Sequence, residues 1–206
     1  MAKVTIGECW SQIEQWLSAN APAAVPMLPP GASDAAFAQA EGTLGFAIPR
    51  EVKEFLAVHD GSARLWLHDR GEFLSLDGIL AAWDQEFDLW GDSNNDEWAN
   101  PQGPIKKKWF TRKWLPVLDA RTGDHVCVDL DPPKGGKRGQ LITWYHDAGP
   151  TEVIAPNFGA LLAEFVAELA GGRYAPRLNQ AGQPYLEYAA EAEPRAAADG
   201  RLRSDS

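Results

Sequence analysis

The sequence predicts an α+β domain with a mainly antiparallel sheet flanked by helices. Three observations carry this: helical periods dominate up to His59, short strand patterns separated by turn chemistry follow, and one amphipathic helix closes the order. The alternating strand and crossover helix that a parallel sheet requires are missing from that order.

The first helix is expected over Gly7 to Ser18, where Trp10, Ile13 and Trp16-Leu17 recur on one face. The prolines between Ala21 and Pro30 break it, because proline lacks the amide donor and biases the residue before it away from helix. Ser33 or Asp34 can cap a second helix carrying Phe37, Ala40 and Leu44, with Gly45 placed to end it. Pro49 suits the first position of a third helix with Val52, Phe55 and Leu56 on its face, and Asp60-Gly61 is its turn. Two strands, Arg64 to His68 and Glu72 to Leu74, are expected around an Asp-Arg-Gly turn. Ser75 or Asp77 then starts a fourth helix with Ile79, Leu80, Trp83 and Phe87 as its stripe.

From Asp84 to Gln102 the chain is acidic and rich in turn formers, and it reads as an exposed loop. The run from Lys106 to Pro116 reverses the sign. Asp124 to Leu130 alternates as a half-buried strand should, with Val126, Val128 and Leu130 on one face and His125, Cys127 and Asp129 on the other. A glycine-rich loop leads to a strand over Gln140 to His146, and a third lies around Val153 and Ile154. Asn157 caps the most regular helix of the chain, with Phe158, Leu161, Leu162, Phe165, Val166 and Leu169 on one wide face before Gly171-Gly172. The domain is expected over 1–172. Residues 173–206 read as a C-terminal extension, its latter part disordered and the segment after Ala181 dispensable for folding.

With 206 residues, 45% hydrophobic and 23% charged, the chain can bury a core without disulfides or a structural metal. Cys9 and Cys127 form no metal-binding or redox spacing and read as reduced thiols. A formal charge of −10 argues against a protein that coats nucleic acid, whose affinity comes from neutralising phosphates. The N-terminus lacks a signal-peptide pattern and no apolar run reaches membrane-spanning length, so the expectation is a cytoplasmic protein with no membrane partner.

Candidate chemistry is sparse. His59, His68, His125 and His146 are scattered over different elements, without the spacing of a metal site. Asp129-Leu130-Asp131 has a D-x-D form, but a strand end turning through Pro132-Pro133 accounts for it. Gly135-Gly136-Lys137-Arg138-Gly139 lacks the pattern and the following helix of a phosphate loop. Lys106 to Trp114 interleaves cations with rings, as single-strand binding needs, yet Trp109 and Trp114 serve equally as core anchors. No catalytic residue, metal or other cofactor is expected.

Several further segments stand in a recognisable order. They are Leu28-Pro29-Pro30-Gly31-Ala32-Ser33, Leu44 to Pro49, Phe55-Leu56 with His59-Asp60-Gly61, and Leu74-Ser75-Leu76 with Ile79 and Trp83. Trp114-Leu115-Pro116, Gly123-Asp124 through Val128 to Pro132, Gly139 to Ile142 with Trp144, and Ala155 to Phe158 complete the set. Their order and spacing together resemble the SMI1/KNR4 (SUKH) superfamily. Phe110 and Thr111 stand where the family usually carries a second Trp and an Asn. The resemblance implies an antiparallel α+β domain without catalysis. It further implies an immunity protein that occludes a cognate toxin of a contact-dependent or type VI secretion system. The alternative is a regulatory or scaffolding binding module of the cell-wall synthesis or signalling type. A basic toxin as partner would suit the carboxylates and rings of Glu86, Asp88, Trp90, Asp92, Asp96, Glu97 and Trp98, the expected partner-binding residues.

Overall fold

The computed structural model describes residues 4–63, 65–91 and 94–189. Helix α1 spans Ile6–Asn20 and opens with a capping box: the Thr5 hydroxyl accepts from Glu8 N at 3.2 Å while Thr5 N donates to the Glu8 carboxylate at 2.7 Å. Its buried face, Ile6, Trp10, Ile13 and Leu17, repeats at helical spacing. The Trp10 indole donates to the Phe55 carbonyl at 3.0 Å, and its ring stacks on Phe55 at 4.6 Å between centroids. Ser33 caps α2 (Asp34–Leu44) and Gly45 ends it in the left-handed conformation. Pro49 sits at the cap of α3 (Arg50–Leu56), one residue outside the expected first position. The chain entering α2 presses on the end of α3: a Cβ on Gly31 would lie 1.9 Å from the Ala57 carbonyl oxygen. Only glycine permits that approach.

Strand β1 is short (Glu72–Phe73), and α4 (Leu76–Trp90) begins on a Ser75 cap. Asp60 ties the two regions together by accepting from Leu76 N at 2.7 Å. Strands β2 (Trp114–Asp119), β3 (His125–Asp129), β4 (Gln140–Tyr145) and β5 (Gly149–Ala155) join β1 in an antiparallel sheet whose spatial order is the chain order. Helix α5 (Phe158–Ala170), capped by Asn157, packs against α1 and crosses β4 and β5. A hairpin of β6 (Tyr174–Leu178) and β7 (Pro184–Tyr188) follows.

The sheet is covered on both faces. Leu115, Val117, Val126, Val128 and Leu141 join the helical residues in the main apolar cluster. The opposite face, Trp114, Cys127, Ile142 and Trp144, packs under Ala99, Ile105, Trp109 and Phe110. Between Pro116 and Leu118 the β2 register slips by one residue, so Val117 and Leu118 both enter the main cluster.

Four expectations are corrected. The described part of the expected strand Arg64 to His68 is not a strand: only a His68 to Gly71 bridge forms, and Trp66 accepts from Leu186 N at 2.8 Å instead. Arg64 itself lies outside the described residues. Helix α4 runs through the first part of the expected loop, as far as Trp90. Strand β3 is buried on both faces because the 99–110 segment covers the side read as open. Finally, residues after Ala181 form β7, and Tyr174 and Leu186 belong to the main apolar cluster. The last part of the expected extension, 190–206, lies outside the described residues.

Both cysteines are free and buried. Burial pushes the Cys127 thiol well above its usual range, with Glu86 and Asp129 adding to the shift, and burial also raises Cys9. Because the thiolate is the reactive form, native protein treated with a chromogenic disulfide reagent should release no rapid colour. Two thiols per chain should appear after denaturation, and one fast equivalent in the native state would contradict this burial.

Candidate partner-binding surface

The second half of α4 and the segment after it form one continuous cover over the sheet. Trp83 donates from its indole to the Arg112 carbonyl at 3.0 Å. The Arg112 guanidinium lies over the Phe87 ring at 3.9 Å and the Trp83 ring at 4.5 Å, and it reaches Asp84 at 3.5 Å. Trp90 packs on Trp109 at 6.0 Å, and Trp144 donates to the Trp109 carbonyl at 2.6 Å. At the edge, Gln102 N donates to the Thr151 carbonyl of β5.

The seven expected partner residues divide by this geometry. Glu86 is only 3% exposed. Its carboxylate accepts from the Trp90 indole at 3.1 Å and lies 3.4 Å from His125 Nε2, so it serves the interior and not a surface. The physical reason is helical spacing: Ile79, Trp83, Glu86 and Trp90 share one face. Trp90 is half-buried on Trp109. Asp92 lies outside the described residues.

Asp96 pins the short helical turn Asn94–Glu97: its carboxylate accepts from Trp109 N at 2.8 Å and from the Lys108 ammonium. Although burial opposes ionisation, the Lys108 and Trp109 hydrogen bonds hold the Asp96 carboxyl below its ordinary range. Asp88 and Glu97 are exposed, and Trp98 stands out at 71% exposure. Leu89, 59% exposed, was missed by the sequence reading. Its place off the apolar stripe follows only once the helix is known to run past Asp84 to Trp90.

The remaining motifs resolve into structure. In the basic run, Trp109, Phe110 and Trp114 are buried, which withdraws the faces a nucleobase would stack on. Lys106 pairs with Asp131. Asp129 accepts from Asp131 N at 3.0 Å and from the Gln140 amide at 3.1 Å, so both carboxylates of the D-x-D segment are engaged in the strand-end turn. In the glycine-rich loop, Gly136 N and Gly139 N donate to the Pro133 and Asp129 carbonyls. Those amides are spent on the loop itself. Among the described residues no group of three or more His, Cys, Asp or Glu is placed to hold a metal ion, and no helix is long and apolar enough to cross a membrane.

The chain is similar to several fungal proteins. It is 24% identical over 204 residues to the cell wall assembly regulator SMI1 of Saccharomyces cerevisiae, covering 80% of this chain and 40% of that protein. It is 22% identical over 208 residues to the glucan synthesis regulatory protein of Neurospora crassa, covering 82% and 39%. With the cell wall biosynthesis/cell cycle regulator smi1 of Schizosaccharomyces pombe it shares 23% identity over 196 residues, covering 82% and 37%. The chain therefore spans about two-fifths of the length of these relatives. Their names correct the expectation of an immunity protein, of toxin-antitoxin and type VI secretion roles, and of a toxin as partner: these relatives are named as regulators of cell-wall assembly and glucan synthesis. The family model described as SMI1 / KNR4 family (SUKH-1) matches residues 31–164, more than half of the sequence, and the chain belongs to that family.

Proposed function

We propose that this protein is a non-catalytic regulatory binding module of the cytoplasm, of the cell-wall synthesis or signalling type. Its partner in this reading is a regulatory protein that docks on Asp88, Leu89, Glu97 and Trp98 around the pinned Asp96 turn. One observation carries the reading. An indole 71% exposed on a turn fixed by a buried-side anchor is a large apolar group presented at little entropic cost. The exposed carboxylates of Asp88 and Glu97 add a charge pattern that favours a basic partner surface. The regulators named above support the functional class, and the free, reduced cysteines suit a cytoplasmic setting.

The test is affinity isolation from the source cell followed by measurement of the recovered partner with purified protein. Trp98→Ala should weaken binding about 30-fold, as expected for a central aromatic anchor, while the unfolding midpoint stays in place. Asp88→Lys with Glu97→Lys should slow association and flatten its salt dependence. Unchanged affinity in both variants would remove this surface from the reading. Turnover of a small substrate by the purified protein would remove the functional class.

A further inference from the structure

Strand pairing brings two basic segments to one end of the sheet. Trp114 opens β2 and lies opposite Asp129, which closes β3, so residues 106–113 enter the sheet where residues 131–138 leave it. Contacts hold the two together: Leu130 N donates to the Lys113 carbonyl at 2.8 Å, the Gln140 amide donates to the Pro104 carbonyl at 2.9 Å, and Lys106 pairs with Asp131. The two segments contain eight Lys and Arg against a single carboxylate, Asp131, in a chain of net charge −10.

Pairing leaves most of that charge unanswered. Lys106 is held by Asp131, Lys108 by Asp96, and Arg112 by Asp84 across 3.5 Å. Lys107, Lys113, Lys134, Lys137 and Arg138 are exposed and pair with no carboxylate among the described residues, although Lys113 rests over the Phe46 ring at 4.7 Å. Asp131 is already shared: the Lys106 ammonium, with Lys113 and Arg138 close by, holds its carboxyl below the ordinary range. Asp92, outside the described residues, is one charge against five. Residues 190–206 hold four carboxylates and three arginines, with no acidic run to cover the patch from within the chain. Like charges held together repel one another, so the fold gains no stability from this cluster.

The surroundings select among anions. Gly136 N and Gly139 N, which would wrap a lone phosphate, are spent on the Pro133 and Asp129 carbonyls, so recognition falls to side chains. Four of the five unpaired cations are lysines, separate point charges that suit several carboxylates in a row better than one bidentate anion. Trp109, Phe110 and Trp114 are buried and leave no ring for a nucleobase, and no exposed large apolar side chain in either segment offers a lipid anchor. Asp84 and Asp96 border the patch through Arg112 and Lys108, so an anionic strand or lipid surface extending past it meets carboxylates. A short segment does not. We infer that residues 106–113 and 131–138 form a second interaction surface whose partner is a short acidic segment of another protein, its carboxylates paired with Lys113, Lys134, Lys137 and Arg138 around Asp131. This surface is opposite in sign to the one around Trp98 and adds a second contact to the function proposed above.

The experiment titrates labelled, blocked decapeptides with the full chain and follows fluorescence polarisation. One peptide alternates glutamate with glycine, and two others carry glutamine or lysine in place of glutamate. Decathymidylate and vesicles containing phosphatidylserine are run beside them. The glutamate peptide should bind with a Kd of about 0.1 mM at low salt and about tenfold more weakly at about 0.2 M salt, and the other two peptides should not bind. Decathymidylate should bind more weakly than the glutamate peptide, and the chain should stay in the supernatant when vesicles are pelleted. Lys137→Glu with Arg138→Glu should weaken the glutamate peptide about tenfold or more while the urea midpoint stays in place, since both side chains are exposed. Trp98→Ala should leave it unchanged, which separates this surface from the one proposed above. No binding of the glutamate peptide, equal binding of the glutamine peptide, or binding indifferent to the loop variant would overturn the inference. Tighter binding of decathymidylate, or pelleting with the vesicles, would overturn it in favour of nucleic acid or a membrane.

Discussion

Replacing Phe165 by aspartate should abolish cooperative unfolding, leaving a protein that is insoluble or lacks fixed tertiary structure. Phe165 is completely buried in α5 and stands where three regions meet. Its ring centroid lies 5.2 Å from Tyr174 of β6, 5.3 Å from His68 and 6.2 Å from Phe73 of β1. Truncating such a phenylalanine to alanine costs about 3–5 kcal/mol through lost burial and the cavity left behind. Aspartate adds an unpaired charge among apolar groups, worth several kcal/mol more, against a total stability of about 5–15 kcal/mol for an ordinary domain. Phe165→Ala should therefore remain folded with a lowered urea midpoint, and Phe165→Asp should not fold. Ala167→Gln, at an exposed position of the same helix, should lie within about 0.5 kcal/mol of the unaltered protein. A soluble Phe165→Asp protein with a steep transition near the original midpoint would show that α5 is not central to the core.

What was legible in the sequence was whatever local chemistry decides. Ser33, Ser75 and Asn157 each cap the helix that follows them, because a side-chain oxygen beside a free amide acts within one turn. The α5 stripe and the alternation of β3 were equally readable, since period alone fixes which side chains share a face. The two-sided burial of β3 was not, because its second cover arrives from Ala99 to Phe110, which no pattern within the strand announces. Glu86 illustrates a subtler limit. Its charge suggested solvent, yet its spacing from Trp83 and Trp90 placed it inward, where the indole of Trp90 and the ring of His125 meet its carboxylate. Composition and periodicity disagreed at that residue, and periodicity prevailed because partners satisfied the buried oxygen atoms. For the partner surface, the exposed Trp98 and Glu97 followed from turn chemistry, whereas Leu89 was visible only once α4 was known to continue past Asp84.

A chain ended at Ala181 should be markedly less stable than one ended at Ala189, contrary to the expectation drawn from composition. The shorter chain loses β7, whose Leu186 is 3% exposed and donates its backbone N–H to the Trp66 carbonyl at 2.8 Å. Burial of that leucine is worth about 1.5–3 kcal/mol. Tyr188 adds a ring contact with Tyr174 at 5.1 Å and a hydrogen bond from its hydroxyl to Glu168 at 3.1 Å, together about 1–2 kcal/mol. Without β7, the backbone groups of β6 that pair with it return to water, and Tyr174 loses one side of its packing. The expected loss is about 3–5 kcal/mol, read as a lower urea midpoint with the transition still cooperative. Equal midpoints for the two chains would mean that the hairpin rests on the domain without supporting it. The sequence concealed this strand because Tyr185-Leu186-Glu187-Tyr188 holds a single aliphatic side chain between polar neighbours, too short a pattern to register as core. Its contribution comes instead from where that side chain lands, in the main apolar cluster with Tyr174 and with its backbone tied to Trp66.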